Sequence, residues 1–151
     1  MDTRDALEKA NHRYFLGITT RWMDNDVYGH VNNVTYYSYF DTIANHFLIQ
    51  EGGLDIHNGD IVGFVVSSSC QYRSPIAFPG NIQSGLRVEK LGNSSVQYGI
   101  AIFKGDETLA SAHGKFTHVF VKRGTNTPVP IPSSLRSLLE GLVVSNSVPS
   151  N

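Results

Sequence analysis

VTYYSYFDTIANHFLIQE, residues 34–51, contains neither Gly nor Pro and is closed by Gly52-Gly53, an ending in which glycine supplies the turn after a helix. Phe40, Ile43 and Phe47, with Ala44 and Leu48 one position along, fall at helical spacing. Tyr36, Tyr37 and Tyr39 widen that stripe beyond the share of a surface helix, so the spacing predicts a long helix buried on several sides. A helix of this kind needs a partner large enough to wrap it.

The rest of the chain supplies strands. YFLGITTRW (14–22) and GFVVSSSCQY (63–72) are rich in β-branched and aromatic residues, and NIQSGLRVEKL (81–91) alternates Ile82, Ser84, Leu86 and Val88 with Gln83, Gly85, Arg87 and Glu89. SVQYGIAIFK (95–104) and TLASAHGKFTHVFVK (108–122) follow after turns at Gly92-Asn93 and Gly105-Asp106 that are short enough for hairpins. A Pro-rich connector, GTNTPVPIP, precedes a short helix, SSLRSLLEGL, that Ser133 or Ser134 can cap. One strand, one long helix and four mostly antiparallel strands make an α+β fold, an antiparallel sheet of about five strands wrapped around a central helix.

At 151 residues the chain is expected to form one domain over residues 14–140, with an N-terminal extension (1–13) and a flexible polar C-terminal tail (141–151). A formal net charge of -1 and the lack of a basic run give no reason to expect a nucleic-acid partner. MDTRDALEKANHRYF has no apolar core of a signal peptide, and no stretch approaches the ~20 apolar residues of a membrane span, so a cytoplasmic protein without a membrane partner is expected. Cys70 is the single cysteine and sits in an apolar run, where a buried, inert thiol is expected.

Just before the long helix lies RWMDNDVYGHVNN, residues 21–33. Asn32 or Asn33 is a good N-cap, so the unused N–H groups of the first helical turn follow His30 at once. Those donors suit a developing oxyanion, and Asp26 and His30 stand a few residues upstream. Carboxylate, imidazole and N–H cluster are the parts of an acyl-transfer site. There is no GxSxG and Cys70 lies in mid-strand, so the attacking group is water or the carboxylate of Asp26 itself. The plainer reading is that Asp24, Asp26 and the asparagines only cap and turn the chain. Metal ligation by Asp24, Asp26 and His30 with His46 or His57 has no supporting spacing, so neither metal nor cofactor is expected.

DNDVYGHVNNVTYY resembles the D-x-D-x-x-G-H-V-N-N-x-x-Y signature of hotdog-fold acyl thioesterases, the 4-hydroxybenzoyl-CoA thioesterase-like family in particular. GFVVSSSCQYRSPIAFPG, VEKLGNSSVQYGIAIF and PVPIPSSLRSLL are similar to that family's second strand, its following hairpin and its closing segment, so the resemblance covers about residues 14–140. It implies an acyl-CoA thioesterase in which Asp26, not Asp24, is the essential carboxylate and the N–H of Asn33 polarises the thioester carbonyl. His30 matches the histidine that related acyl-carrier thioesterases place four residues after their aspartate. Where some relatives carry Tyr and His, this chain has Trp22 and Asn33, and Tyr28 stands where the acyl-carrier enzymes have Asn, so Tyr28 is expected to shape the acyl pocket. The resemblance implies that the nucleotide end of CoA rests near the turn EKLGNSS, against Lys90, Asn93 and Ser94, with Arg73 and Arg123 as further candidates. Ser68, sharing a strand face with Val66 and Cys70, is a candidate crevice wall. It also implies a homodimer or a homotetramer built as a dimer of dimers, with the site at the interface. Hydrolysis of an acyl-carrier thioester, non-catalytic thioester binding and hotdog hydration are the alternatives; the hydratase pattern D-x-N-P-x-H is absent.

Overall fold

The structure, a computed structural model, describes residues 3–144. Helix α1 (Thr3–Leu7) and a 3-10 turn (Lys9–Asn11) lead into β1 (Tyr14–Thr19). Helix α2 (Asn33–His46) continues through a π-helical turn (Phe47–Glu51), and β2 (Ile61–Tyr72), β3 (Asn81–Leu91), β4 (Ser95–Lys104), β5 (Ala112–Lys122) and α3 (Ser133–Glu140) follow. The strands form one antiparallel sheet in the order β1-β3-β4-β5-β2, curled around α2. This is the hotdog fold, α+β, with five strands and one central helix.

The helix buries Tyr36, Tyr39, Phe40, Ile43, Ala44, Phe47 and Leu48 against the inward strand residues Leu86, Val88, Tyr98, Ile100, Ile102, Phe116 and Phe120. Phe40 and Ile43 are wholly excluded from water, and each such side chain contributes roughly 1.5–3 kcal/mol on folding. The sheet approaches so closely that a Cβ on Gly114 would strike the Phe40 ring at 2.7 Å. A polar stripe of Ser38, Asp41 and Thr42 stays exposed, so the helix is covered on most sides but not all. Its end forms as expected: Gly52 N–H reaches back to Phe47 O and Gly53 turns with φ +66°.

Several element boundaries differ from the sequence-based expectation. β1 stops at Thr19, because Thr20 turns to bond Gly80 O through both its N–H and its hydroxyl. β5 starts at Ala112 rather than Thr108: residues 108–110 pair instead with the N-terminal segment, through Lys9 N–H to Thr108 O and Ala110 N–H to Leu7 O. Helix α3 starts at Ser133, but Pro132 holds the cap position and neither serine caps it by a side chain. A bulge between Val65 and Ser67 resets the alternation of β2, placing Val65 rather than Val66 opposite inward-facing His118. Beyond residue 140 the chain stays packed through Val144: Leu142 and Val144 are buried, and Val88 N–H bonds to Leu142 O. The remainder of the expected tail, 145–151, lies outside the described residues.

The outer face of the sheet is the larger surprise. The alternation of β3 suggests that Arg87 and Glu89 face water, yet Arg87 is only 1 % exposed. The N-terminal segment lies over this face, and Arg87 is paired with Glu89 at 2.9 Å beneath it. Gly85 and Gly99 make the room, since a Cβ on Gly85 would come within 3.0–3.1 Å of Phe15 and His12. Residues 3–13 therefore lie over the outer face of the sheet.

Candidate active site

The strand register gathers one set of loops at one end of the sheet. β1 ends at Thr19 opposite Asn81, the first residue of β3, and Ile82 pairs with Lys104, the last of β4. The segment 20–33, the 73–80 turn and the 105–111 connection therefore lie together, while the turn at Gly92–Ser94 lies at the other end.

Segment 21–33 is tied down before the helix begins. Asp24, 2 % exposed, accepts from the Arg21 N–H at 2.9 Å, the Tyr39 hydroxyl at 2.8 Å and the Arg21 guanidinium at 3.1–3.3 Å. Its own carbonyl accepts the Asn32 N–H at 2.8 Å. Burial pushes the Asp24 carboxyl up, but the bonds from Arg21 and Tyr39 outweigh it and hold the group below its ordinary value. Asn25 clamps Phe78 by two bonds, and Val31 N–H donates to Ile76 O at 2.6 Å. Between these anchors the chain makes a tight turn, with Gly29 N–H on Asp26 O at 3.0 Å and Asp26 N–H on His30 O at 2.9 Å. Gly29 sits at φ +86°, a conformation strained for any side chain.

The two acids of the segment thus have opposite surroundings. Asp26 is half-buried and accepts one bond, from Tyr28 N–H to Oδ1 at 2.9 Å. Among the described residues it forms no ion pair. The helix start is equally economical with its donors. Asn32 is the N-cap and its side chain accepts the Val34 N–H at 3.0 Å, while Thr35 N–H bonds to Asn32 O. The Asn33 N–H is left without a hydrogen-bond partner among the described residues. It carries the positive end of the helix dipole.

Asp26, Tyr28, His30 and Asn33 line one cleft of about 360 Å³ with Tyr36, Tyr72 and Arg73. Tyr72 closes the helix side by donating its hydroxyl to Asn33 O at 3.2 Å and meeting the Tyr36 ring edge-on at 5.1 Å. Burial raises Tyr36 to about 12 and Cys70 to about 11, so the thiol stays protonated near neutral pH and is a poor nucleophile. Tyr36, Tyr72 and Arg73 were not among the expected contributors to the reacting end. The signal for Tyr72 and Arg73 was YRSP at 72–75, which leads from the end of β2 into the cleft, and Tyr36 stands in the first turn of α2.

The other candidates lie apart. Ser68 sits in mid-β2, opposite inward Phe116 and on the face of Cys70. Lys90, Asn93 and Ser94 are at the far end of β3, an 11-residue strand and so about 33 Å long. There Asn93 and Ser94 give their carbonyls to Ile131 and Phe120 N–H groups. Within one chain they cannot share a small ligand with Asp26. Arg123 donates to Gly59 O and Ile56 O and anchors the 56–59 loop. Among the described residues no three His, Cys, Asp or Glu side chains gather as metal ligands do, and no helix is long and apolar enough to cross a membrane.

Residues 20–139 match the thioesterase-like superfamily, and the chain belongs to that family. The PA5185 protein of Pseudomonas aeruginosa is 54 % identical over 92 % of this chain and 97 % of its own, with a TM-score of 0.90. The PA2801 protein of the same organism, named provisionally as a thioesterase, is 27 % identical over 85 % of this chain and 97 % of its own, with a TM-score of 0.77. A 1,4-dihydroxy-2-naphthoyl-CoA thioesterase from Synechocystis shares the fold, at 15 % identity over 83 % of this chain and 94 % of its own and a TM-score of 0.75. No curated protein matches the sequence. Membership supports hydrolysis as the class of reaction.

Proposed function

We propose that the protein is a cytoplasmic acyl-CoA thioesterase that cleaves an acyl-CoA to the free acid and CoA at the Asp26 cleft. The observation that carries this reading is that Asn33, whose N–H has no hydrogen-bond partner among the described residues, lines the same cleft as an imidazole and a carboxylate that forms no ion pair among them. Asp26 takes a proton from a water that attacks the thioester carbonyl, or attacks the carbonyl itself to give an anhydride that water then opens. The oxyanion forms against the Asn33 N–H. One such donor is typically worth ~3 kcal/mol, about a hundred-fold or more in rate. As the tetrahedral species collapses, the C–S bond breaks and the CoA thiolate leaves, with His30 placed to return a proton to it or to orient the turn. Tyr28 stands at the mouth, 85 % exposed, where it can lie along the acyl group.

A second copy completes the site in this reading. β2 is a sheet edge, and Phe64, Val65 and Val66 on it are 43–60 % exposed, a surface that invites pairing with another strand. Antiparallel pairing of two β2 edges sets the Lys90–Ser94 end of one copy beside the Asp26 end of the other. Ser68, Lys90, Asn93 and Ser94 then act in the neighbour's site, Ser68 as a wall and the others toward the nucleotide. The test is steady-state release of CoA thiol across a panel of acyl-CoA esters, for the native protein and for Asp26→Asn. Turnover that survives Asp26→Asn unchanged would remove the proposed mechanism, and turnover of acyl-carrier thioesters alone would remove the proposed substrate.

A further inference from the structure

Among the described residues Arg73 is the one Lys or Arg that lines the Asp26 cleft. Arg73 is exposed, and its backbone N–H and its Nε are both bonded to neutral partners. Its N–H bonds to Ser111 O at 2.7 Å and its Nε to Ala110 O at 2.7 Å, while the next residue repeats the anchorage through Ser74 Oγ to Ser111 Oγ at 3.0 Å. Both terminal nitrogens of the guanidinium are without a hydrogen bond or an ion pair among the described residues. Other arginines in the fold are committed differently: Arg21 to Asp24, Arg87 to Glu89, Arg123 to two loop carbonyls and Arg136 to the carbonyls of Gly92 and Asn93. A guanidinium fixed along one side with its outer edge open presents two parallel donors, the geometry that fits a carboxylate.

The reach of the cleft decides which anion it meets. Arg73 shares a cleft of about 360 Å³ with Asp26 and the Asn33 N–H, so it stands close to the reacting carbonyl. The phosphates of CoA are separated from the sulfur by the whole pantetheine arm, which is too long to fold into such a space. The group that reaches Arg73 therefore belongs to the acyl half of the substrate.

We propose that Arg73 selects acyl groups bearing a second, free carboxylate a few carbons from the thioester, so that the preferred substrates are the CoA monothioesters of short dicarboxylic acids. This rests on the thioesterase reading and names its substrate class. The acyl carboxylate lies across the open edge of the guanidinium, and the thioester carbonyl at the other end of the chain meets the Asn33 N–H. Two fixed points separated by a short spacer set the chain length. They also hold the negatively charged acyl tail away from Asp26, which would otherwise repel it.

The experiment compares kcat/KM for butyryl-, succinyl-, glutaryl- and adipyl-CoA, with the methyl ester of succinyl-CoA as the uncharged isostere. One of the carboxylated esters should exceed butyryl-CoA by roughly 10- to 100-fold, the usual size of a charge-assisted pair, and the methyl ester should lose that advantage. Arg73→Gln should lower kcat/KM for the carboxylated esters relative to butyryl-CoA until the ratio is near one, and Arg73→Lys should restore part of that ratio. An equal loss for all esters in Arg73→Gln would mean that Arg73 only braces the loop or touches CoA, and would overturn the proposal. Binding of succinyl- and butyryl-CoA to Asp26→Asn protein, measured calorimetrically, reads the same preference without turnover. A carboxylate preference in binding with no hydrolysis by the native protein would sustain the Arg73 assignment and end the thioesterase reading. Hydrolysis of butyryl-CoA with no preference in either measurement would do the reverse.

Discussion

Replacing Asp24 should unfold the protein more readily without abolishing its chemistry, and the size of the effect can be worked from its four contacts. Asp24→Ala leaves the buried Tyr39 hydroxyl without its acceptor at 2.8 Å, a loss of roughly 1.5–3 kcal/mol for a bond to a charged group. The Arg21 N–H loses its acceptor too, for about 1 kcal/mol. The guanidinium of Arg21 is 63 % exposed, so its ion pair adds only about 0.5 kcal/mol. The sum is about 3–4.5 kcal/mol, which for a chain of this size lowers Tm by roughly 10 °C. Tyr39→Phe removes one of those bonds alone and should cost about 1–2 kcal/mol. Asp24→Asn, which keeps an oxygen acceptor, should fall between them. Thermal and urea unfolding give the stabilities, and kcat is taken at 15 °C, well below each melting point. Asp26→Asn provides the contrast: Tm within about 2 °C of native and kcat lower by at least ~100-fold. If Asp24→Asn keeps its Tm yet loses as much kcat as Asp26→Asn, the buried acid is the catalytic one and the argument from its saturated oxygens is wrong.

Three further outcomes follow from the same geometry. His30→Ala should damage turnover while His46→Ala and His57→Ala leave it nearly intact, and EDTA should not change the native rate; activity lost to chelation and restored by Zn²⁺ would replace the carboxylate mechanism. Stability should fall as pH drops from about 6.5 toward 4, because burial depresses His12, with Arg87 beside it, and His118 to about 4. In that window the unfolded chain takes up protons that the folded one refuses, at about 1.4 kcal/mol per pH unit for each residue. His118→Phe should reduce the slope seen in urea titrations by one proton, and an unchanged slope would show that His118 is protonated in the fold. Val65→Asp on the β2 edge should yield monomers by sedimentation with turnover reduced at least ten-fold, and a fully active monomer would refute the shared site.

Most of the fold was legible because two periodicities, helical over 34–51 and alternating over 81–91, depend only on which face each residue presents. The ends of β3 and β4 fall at the expected residues because turn residues bound them on each side. What the sequence hid was tertiary in origin. Arg87 and Glu89 look like the wet face of β3, and only the N-terminal segment folding back over Gly85 and Gly99 makes that face dry. Thr108–Ala110 looks like strand, and it does pair, but with residues 7–9. At the site, the motif located Asp26, His30 and Asn33 in one loop. It could not show that Asp24 is saturated and Asp26 is not, because Tyr39 reaches Asp24 from a turn and a half further along α2. Nor could spacing show that Lys90–Ser94 ends up a strand's length from Asp26, since that depends on β1 pairing antiparallel with β3, which sets Thr19 against Asn81 rather than near Leu91.

The division of hydrogen bonds along segment 21–33 suits it to the proposed reaction. A reacting group has to be fixed in place and yet keep unsatisfied donors and acceptors, and in most loops these demands conflict. Here they fall on different residues. Asp24, Asn25, Val31 and Asn32 take up the structural hydrogen bonds, to helix α2, to the 76–78 segment and to each other. Because those anchors are in place, Asp26 needs only the single bond from Tyr28 N–H, and the cap formed by Asn32 satisfies the second and third donors of the helix while sparing the first. The two asparagines that were both cap candidates are therefore unequal: Asn32 is bound up in the cap, and Asn33 carries an N–H with no partner among the described residues. Substituting Asn32 with Ala would take the acceptor from Val34 N–H and lower stability by about 1 kcal/mol. Substituting Asn33 with Ala would leave its backbone donor where it is, so turnover should change little even though the residue is named for the site. A loss of kcat in Asn33→Ala as large as that in Asp26→Asn would mean that the amide side chain, not the backbone, meets the oxyanion.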